Sequence, residues 1–247
     1  MLDLLLNPLY ACNVKGYCKG CWVTEAGLER KDPLHKAREW LKALKTLPAV
    51  RKIDICGGEP LLWPELYDFC SKLEIPWALT TNLLSYAFTR FVDQPLANCL
   101  CWTATYHPES GMEKESFLDR VKAISEHYPV GIAILECAPY ALRLSKFFQG
   151  QRFPFCLEPY EARPIKLEKE LFSCAGGQNF LFIAPDGGCF PCVDSQRANE
   201  NSLGNIFEGT LELPKERLKC SLACNTWNVL IPRHKEGDVH NLQVKPL

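Results

Sequence analysis

The sequence has no excess of either charge: 28 Lys and Arg stand against 29 Asp and Glu, a formal net charge of -1 over 247 residues. No broad basic field is available to hold a nucleic-acid backbone or an anionic membrane, which argues against nucleic-acid partners without excluding one. Long apolar runs are missing too. Met1-Leu2-Asp3-Leu4-Leu5-Leu6 is apolar but too short to cross a membrane, and no basic segment precedes it. It reads as the first strand of a cytoplasmic protein. A hydrophobic fraction of 47% with a mean hydropathy of -0.12 fits a soluble chain with a sizeable core, in one large domain or a medium one plus a small one.

Cysteine, by contrast, is abundant, with 14 in the chain. Where thiols stay reduced, cysteines so numerous and clustered point to metal before disulfide. A secreted disulfide scaffold is disfavoured by the missing export signal and by the length of the chain. Cys12, Cys18 and Cys21 fall within ten residues at the end of the first apolar run. A structural zinc site closes with four protein ligands, whereas a [4Fe-4S] cluster on three thiolates keeps one iron open. Further on, Ile53-Asp54-Ile55-Cys56 reads as a short buried strand that runs into Gly57-Gly58-Glu59-Pro60. Two glycines at a strand exit let the backbone approach a ligand closely.

Between these landmarks the pattern alternates. Asp32-Pro33 reads as a helix start, and Leu34, Ala37, Leu41 and Leu44 share one helical face ahead of a strand over 52–56. Helices are expected around 65–73, 85–92, 117–128 and 141–149, and strands around 77–81, 100–105, 130–135 and 153–157. About six βα steps imply an α/β fold with a parallel sheet, too few for a closed eightfold barrel. In such sheets ligands gather at the carboxyl ends of the strands. Past Tyr160 the texture changes. Arg163-Pro164 and the charged run 166–170 read as a linker or exposed turn, followed by a strand over 180–184, a Pro185-Asp186-Gly187-Gly188 turn and a second short strand.

The cysteine triplet followed by Gly-Gly-Glu-Pro resembles the radical S-adenosylmethionine enzymes, with the triplet spaced C-x5-C-x2-C in place of the usual C-x3-C-x2-C. The spacing of Cys174, Gly187 and Cys192, C-x12-G-x4-C, and the later Leu203-Gly204-Asn205-Ile206 are similar to the opening of the SPASM and Twitch extensions of that family. The resemblance implies a partial (β/α)6 TIM barrel over 1–160 and a small cysteine-rich β-hairpin plus helix domain of the shorter Twitch form over 161–247. It implies S-adenosylmethionine and two [4Fe-4S] clusters as cofactors, one on Cys12, Cys18 and Cys21 and an auxiliary one on Cys174, Cys192, Cys220 and Cys224. Gly57, Gly58, Glu59 and Pro60 would receive the cofactor's amino group, and Tyr17 and Trp22 would replace the aromatic residue usual before the third cysteine. Asn82 would lie near the cofactor, Thr105 and His107 near the ribose, and Ile132 and Ile134 against the adenine. Glu158 and Tyr160 would face the substrate.

The implied activity is that of an oxidoreductase. An electron from a reductant such as flavodoxin or ferredoxin releases a 5'-deoxyadenosyl radical, which takes hydrogen from a substrate C–H, and the auxiliary cluster accepts a second electron. A small-molecule substrate is expected, because a first strand at Leu2 leaves no room for a leader-peptide domain. Modification of a ribosomally made peptide is the alternative, and a non-catalytic iron-sulfur carrier is a third reading. Plainer roles stay open: Asn82 as a cap of the next helix, His107 as a turn residue, and the four C-terminal thiols as a zinc site. Cys189 is open as ligand, hydrogen-atom donor or neither. Cys56, Cys70, Cys99, Cys101, Cys137 and Cys156 read as small buried hydrophobes.

Overall fold

The computed structural model describes residues 1–14, 21, 23, 33–135, 141–158, 167–222 and 233–235. Cys18, Tyr17, Trp22, Asp32, Cys137, Tyr160 and Cys224 lie outside them. Strands and helices alternate as β1 (Leu2–Leu6), α1 (Ala37–Leu44), β2 (Val50–Ile55), α2 (Leu66–Ser71), β3 (Trp77–Thr81), α3 (Phe88–Asp93), β4 (Cys99–Tyr106), α4 (Lys114–Ser125), β5 (Val130–Leu135), α5 (Ala141–Gln149) and β6 (Phe155–Glu158). β7 (Leu167–Cys174), β8 (Phe180–Ile183), β9 (Cys189–Phe190), α6 (Val193–Ala198), β10 (Leu218–Leu222) and β11 (Arg233–Lys235) follow. The main sheet has the order β6-β5-β4-β3-β2-β1-β8-β9, with every neighbouring pair from β6 to β8 parallel. This is the α/β arrangement expected, a partial barrel whose helices cover one face.

Alternation along each strand decides which face that is. Leu4, Leu6, Ile53, Ile55, Trp77, Leu79, Trp102, Ala104, Ile132 and Ile134 are buried in one cluster with Trp40, Phe69, Phe91, Phe117 and Phe148 from the helices. The rings interlock: Phe91 lies 5.2 Å from Trp102, and Phe117 lies 5.1 Å from Tyr106 and 5.8 Å from Phe148. The opposite, lumen face carries Lys52 and Asp54 on β2, Thr80 on β3, and Cys101, Thr103 and Thr105 on β4.

Two features differ from the sequence reading. The charged run 166–170 is not a linker but enters β7, the central strand of a separate antiparallel sheet of order β10-β7-β11. Its composition is polar, but pairing on both sides satisfies its backbone groups. Second, the glycine-rich hairpin belongs to the main sheet, because β8 pairs in parallel with β1, from Asp3 opposite Phe180 to Leu6 opposite Ile183. Gly187 makes the turn at φ +83, and a Cβ there would lie 2.3 Å from the Phe207 ring. Phe207 in turn stacks on His35 and Trp40 at 3.9 and 4.7 Å, fastening the segment after the hairpin to α1. Among the described residues no helix is long and apolar enough to cross a membrane.

Phe117 is fully buried and is the ring through which α4 meets both β4 and α5. Phe117→Ala is expected to destabilise the fold by about 3–5 kcal/mol in equilibrium urea unfolding. A loss below about 1 kcal/mol would show that this face of the sheet is not packed as described.

Candidate active site at the carboxyl ends of the strands

Just past β1 the chain runs alongside the exit of β2, and hydrogen bonds clasp the two together. Cys56 N donates to Leu6 O at 3.0 Å, Gly58 N to Leu9 O at 3.1 Å, and Glu59 N to Ala11 O at 2.8 Å. Both glycines are obligatory here. Gly57 has φ +132, and a Cβ on it would sit 2.4 Å from Leu9 O, while one on Gly58 would sit 2.2 Å from the carbonyl oxygens of Tyr10 and Ala11.

The clasp places Glu59 in the interior, fully buried. Its Oε1 accepts from the Thr81 hydroxyl at 2.7 Å and from Leu61 N at 2.9 Å, and its Oε2 accepts from Asn82 N at 2.7 Å. Burial pushes the carboxyl up from its usual 4.5 to about 7, against the pull of those three donors. No cation among the described residues pairs with it.

Asn82 extends the network to the cysteine loop. Its Nδ2 donates to Asn13 Oδ1 at 2.7 Å and lies 3.8 Å from Cys12 Sγ, while its Oδ1 accepts from Leu84 N at 2.9 Å. It therefore makes a local turn but does not cap α3, whose N-cap position is Ala87. Arg120 from α4 holds that turn by donating to Leu83 O and Leu84 O. Asn13 was not singled out from the sequence. Its position beside Cys12 was the available signal.

The other sequence-named residues fall as follows. Thr105 is buried on the lumen face near the end of β4. His107 precedes the Pro108–Ser110 turn and its carbonyl accepts from the Ser110 hydroxyl at 2.6 Å, a turn role, while burial holds its imidazole pKa below the usual value. Pro60 begins the short turn that follows Glu59. Ile132 and Ile134 are core residues on the helix-covered face, opposite Ala104 and Tyr106 of β4. An adenine contact for them would have to come at the carboxyl edge of β5, not across its lumen face. Glu158 ends β6 opposite Leu135. Of the cysteines expected to be buried hydrophobes, Cys70 is buried, but Cys56, Cys99 and Cys101 are only partly so and Cys156 is exposed. Alternation turns Cys101 and Cys156 away from the helices.

The C-terminal cysteines converge separately. Cys174, Cys192 and Cys220 are buried in one cluster with Tyr10, Val23, Phe180, Phe182, Ala184 and Phe190, against which Cys21 packs. Cys220 sits opposite Phe172, two positions from Cys174 on the same strand, so both cysteines occupy one face of the small sheet. Cys189 belongs instead to the main core, with its thiol on Gly187 O at 3.4 Å and its pKa pushed up to about 12 by burial.

Whether these thiols suit a metal centre can be judged from their surroundings. Burial, with the nearby charges of Glu59 and Cys21, raises the Cys12 thiol to about 11, although Val14 N donates to its sulfur at 3.4 Å. Burial raises Cys192 to about 11, although Ser195 N donates to that sulfur at 3.4 Å; Gly176 N lies 3.3 Å from Cys174 Sγ. Soft sulfur ligands, prepared by N–H donors yet too buried to ionise alone, suit a thiophilic cation that removes the cost of the thiolate. Among the described residues no three metal-binding side chains converge closely enough to hold an ion, Cys18 and Cys224 being outside them.

No family model matches the sequence, and no curated protein does. Solved structures share the fold. Streptococcus suis SuiB bound to S-adenosylmethionine superposes with a TM-score of 0.50 at 17% identity, over 84% of this chain and 63% of that one. SuiB bound to the precursor peptide SuiA gives 0.50 at 18% identity, over 84% and 62%. The chain thus spans less than two thirds of the length of SuiB, and the likeness is one of fold.

The buried carboxyl gives a pH signature. With a folded pKa above the unfolded one, the native state holds a proton that the unfolded state has released, so stability falls as pH rises from about 4.5 to about 7. In the protein without added cofactor, wild type should lose roughly 3 kcal/mol relative to Glu59→Gln between about pH 5 and pH 8 in urea unfolding. A wild type that gains on the variant over that range would contradict the burial of Glu59.

Proposed function

We propose that this chain is a radical S-adenosylmethionine enzyme acting on a small molecule. The observation that carries the reading is the Glu59 carboxylate, buried beside the Cys12 loop with no counter-cation among the described residues, in a turn whose two glycines admit no side chain. A buried carboxylate of this kind is stabilised by an incoming ammonium. The fold shared with SuiB, whose crystal contains S-adenosylmethionine, supports it.

Cys12, Cys18 and Cys21 would hold a [4Fe-4S] cluster, and Cys174, Cys192, Cys220 and Cys224 a second. The clusters and S-adenosylmethionine would supply one-electron cleavage of the sulfonium to a 5'-deoxyadenosyl radical, a step that side chains cannot perform. The chain's own part is positional. Gly57 and Gly58 would bring backbone against the cofactor and Glu59 would take its amino group, while Asn82 holds the Cys12 loop through Asn13. Tyr17 and Trp22 would stand in for the aromatic residue usual before the third cysteine, with Thr105 and His107 on the ribose side. Glu158 and Tyr160, at the exit of β6, would face the substrate. Residues 1–160 would form the catalytic half and 161–247 the half that carries the second cluster. A flavodoxin or ferredoxin would deliver the electron, and net oxidation is the favoured outcome. Modification of a ribosomal peptide is the second reading, favoured by the precursor peptide bound in the SuiB crystal.

After anaerobic reconstitution, about eight iron and eight sulfide per chain are expected, and Cys12→Ala should retain about four. With dithionite and S-adenosylmethionine the wild type should release 5'-deoxyadenosine, quantified by chromatography, and Cys12→Ala none. Release by the variant at the wild-type rate would dispose of the proposed site.

A further inference from the structure

We propose that the Lys52–Asp54 pair on the lumen face of β2 anchors a zwitterionic small molecule of the α-amino-acid kind as the substrate, an inference that rests on the function proposed above. In a closed barrel the lumen is filled by branched apolar side chains in layers. Here Ile53 and Ile55 face the helices, which leaves Lys52 and Asp54 to the lumen. Lys52 Nζ and Asp54 Oδ2 lie 2.7 Å apart with side chains 26% and 28% exposed, so the pair is desolvated in part but still reachable.

Register gives the pair its neighbours. Asp54 stands opposite Leu5 on one side and Ala78 on the other, and Ala78 stands opposite Cys101. Ala78 sets only a methyl group beside the pair, and the Cys101 thiol, whose pKa burial raises, also senses Asp54 and Lys52. One row nearer the carboxyl edge, Thr80 stands opposite Thr103, and neither hydroxyl has a protein partner among the described residues. Asp3, opposite Lys52, is already engaged by Nε and Nη2 of Arg51, so it does not compete for the lysine. Asp54 is two residues and Lys52 four residues before Cys56, below the Gly57–Glu59 turn.

The self-neutralised pair dictates the ligand. A simple anion drawn to Lys52 would leave Asp54 half-buried and unpaired, and a simple cation would leave Lys52 so. Only a ligand carrying both signs a few ångströms apart replaces the pair without stranding a charge. A free amino acid carries both, whereas an interior peptide residue has both groups tied up as amides. The anchor therefore selects a small molecule over the middle of a peptide, and the two threonine hydroxyls are free to take its polar substituents.

Cys101 supplies the readout. The full-length protein, isolated anaerobically with its iron, is treated with iodoacetamide alone, or with each common L-amino acid or its N-acetyl amide, and alkylation is followed by peptide mass spectrometry. Exposed Cys156 serves as the reference and buried Cys70 as the control for folding. At least one free amino acid should slow alkylation of Cys101 by about tenfold while its amide does not, and Asp54→Asn and Lys52→Met should each lose the protection. Cys101 inert without protectant, protection by no amino acid, equal protection by the amides, or protection that survives both substitutions would each overturn the anchor. Release of 5'-deoxyadenosine by wild type is scored separately. Protection without release keeps the anchor and removes the radical chemistry, and release without protection does the reverse.

Discussion

The site depends on one buried carboxylate. Glu59 draws hydrogen bonds from Thr81, Leu61 and Asn82, and its own backbone N–H goes to Ala11, so one residue joins the exits of β1, β2 and β3. Each donor offsets part of a desolvation cost that would otherwise keep a carboxyl out of the interior. The glycines before it serve the same clasp, since any side chain at 57 or 58 would push the β1 exit away and break the bond from Glu59 N to Ala11 O. The loop that carries Cys12 is positioned from two directions, by backbone from below and by the Asn82 amide from the side.

The sheet divides its labour by face. Apolar and aromatic residues on one side pack against the helices and supply the stability, while the other side carries small and polar residues on β2 to β4 and apolar ones, Leu5, Phe180 and Phe182, where β1 meets β8. The C-terminal segment adds a second cysteine cluster that shares apolar neighbours with Cys21 and Tyr10, so the two thiol sets are joined by packing as well as by the sheet.

Much of this was legible in the sequence because it follows from local rules. β3, β5 and α5 have the expected bounds, since Trp77–Thr81 and Val130–Leu135 are compact β-prone runs and Ala141–Gln149 keeps helical spacing. The two glycines were legible as a place of close backbone approach, but that the group approaching is the β1 exit of the same chain was not. What local rules miss is long-range pairing. β7 is polar and is made a strand by partners some fifty residues on, and the attachment of β8 to β1 joins positions almost 180 residues apart. The start of α1 is another such case. It begins at Ala37, where Glu65 Oε2 accepts the Ala37 N–H at 2.6 Å, a cap supplied from the far side of β2.

The β1–β8 pairing also bears on how the chain is made. A ribosome delivers Leu2–Leu6 first and Phe180–Ile183 much later, so one edge of β1 stays without its final neighbour while most of the sheet is already synthesised. Through that interval the nascent polypeptide exposes an apolar, unpaired strand beside its cysteine-bearing loop, the kind of edge that invites adhesion between chains. That seam can close only once the stretch of chain that brings the second group of thiols has begun to emerge.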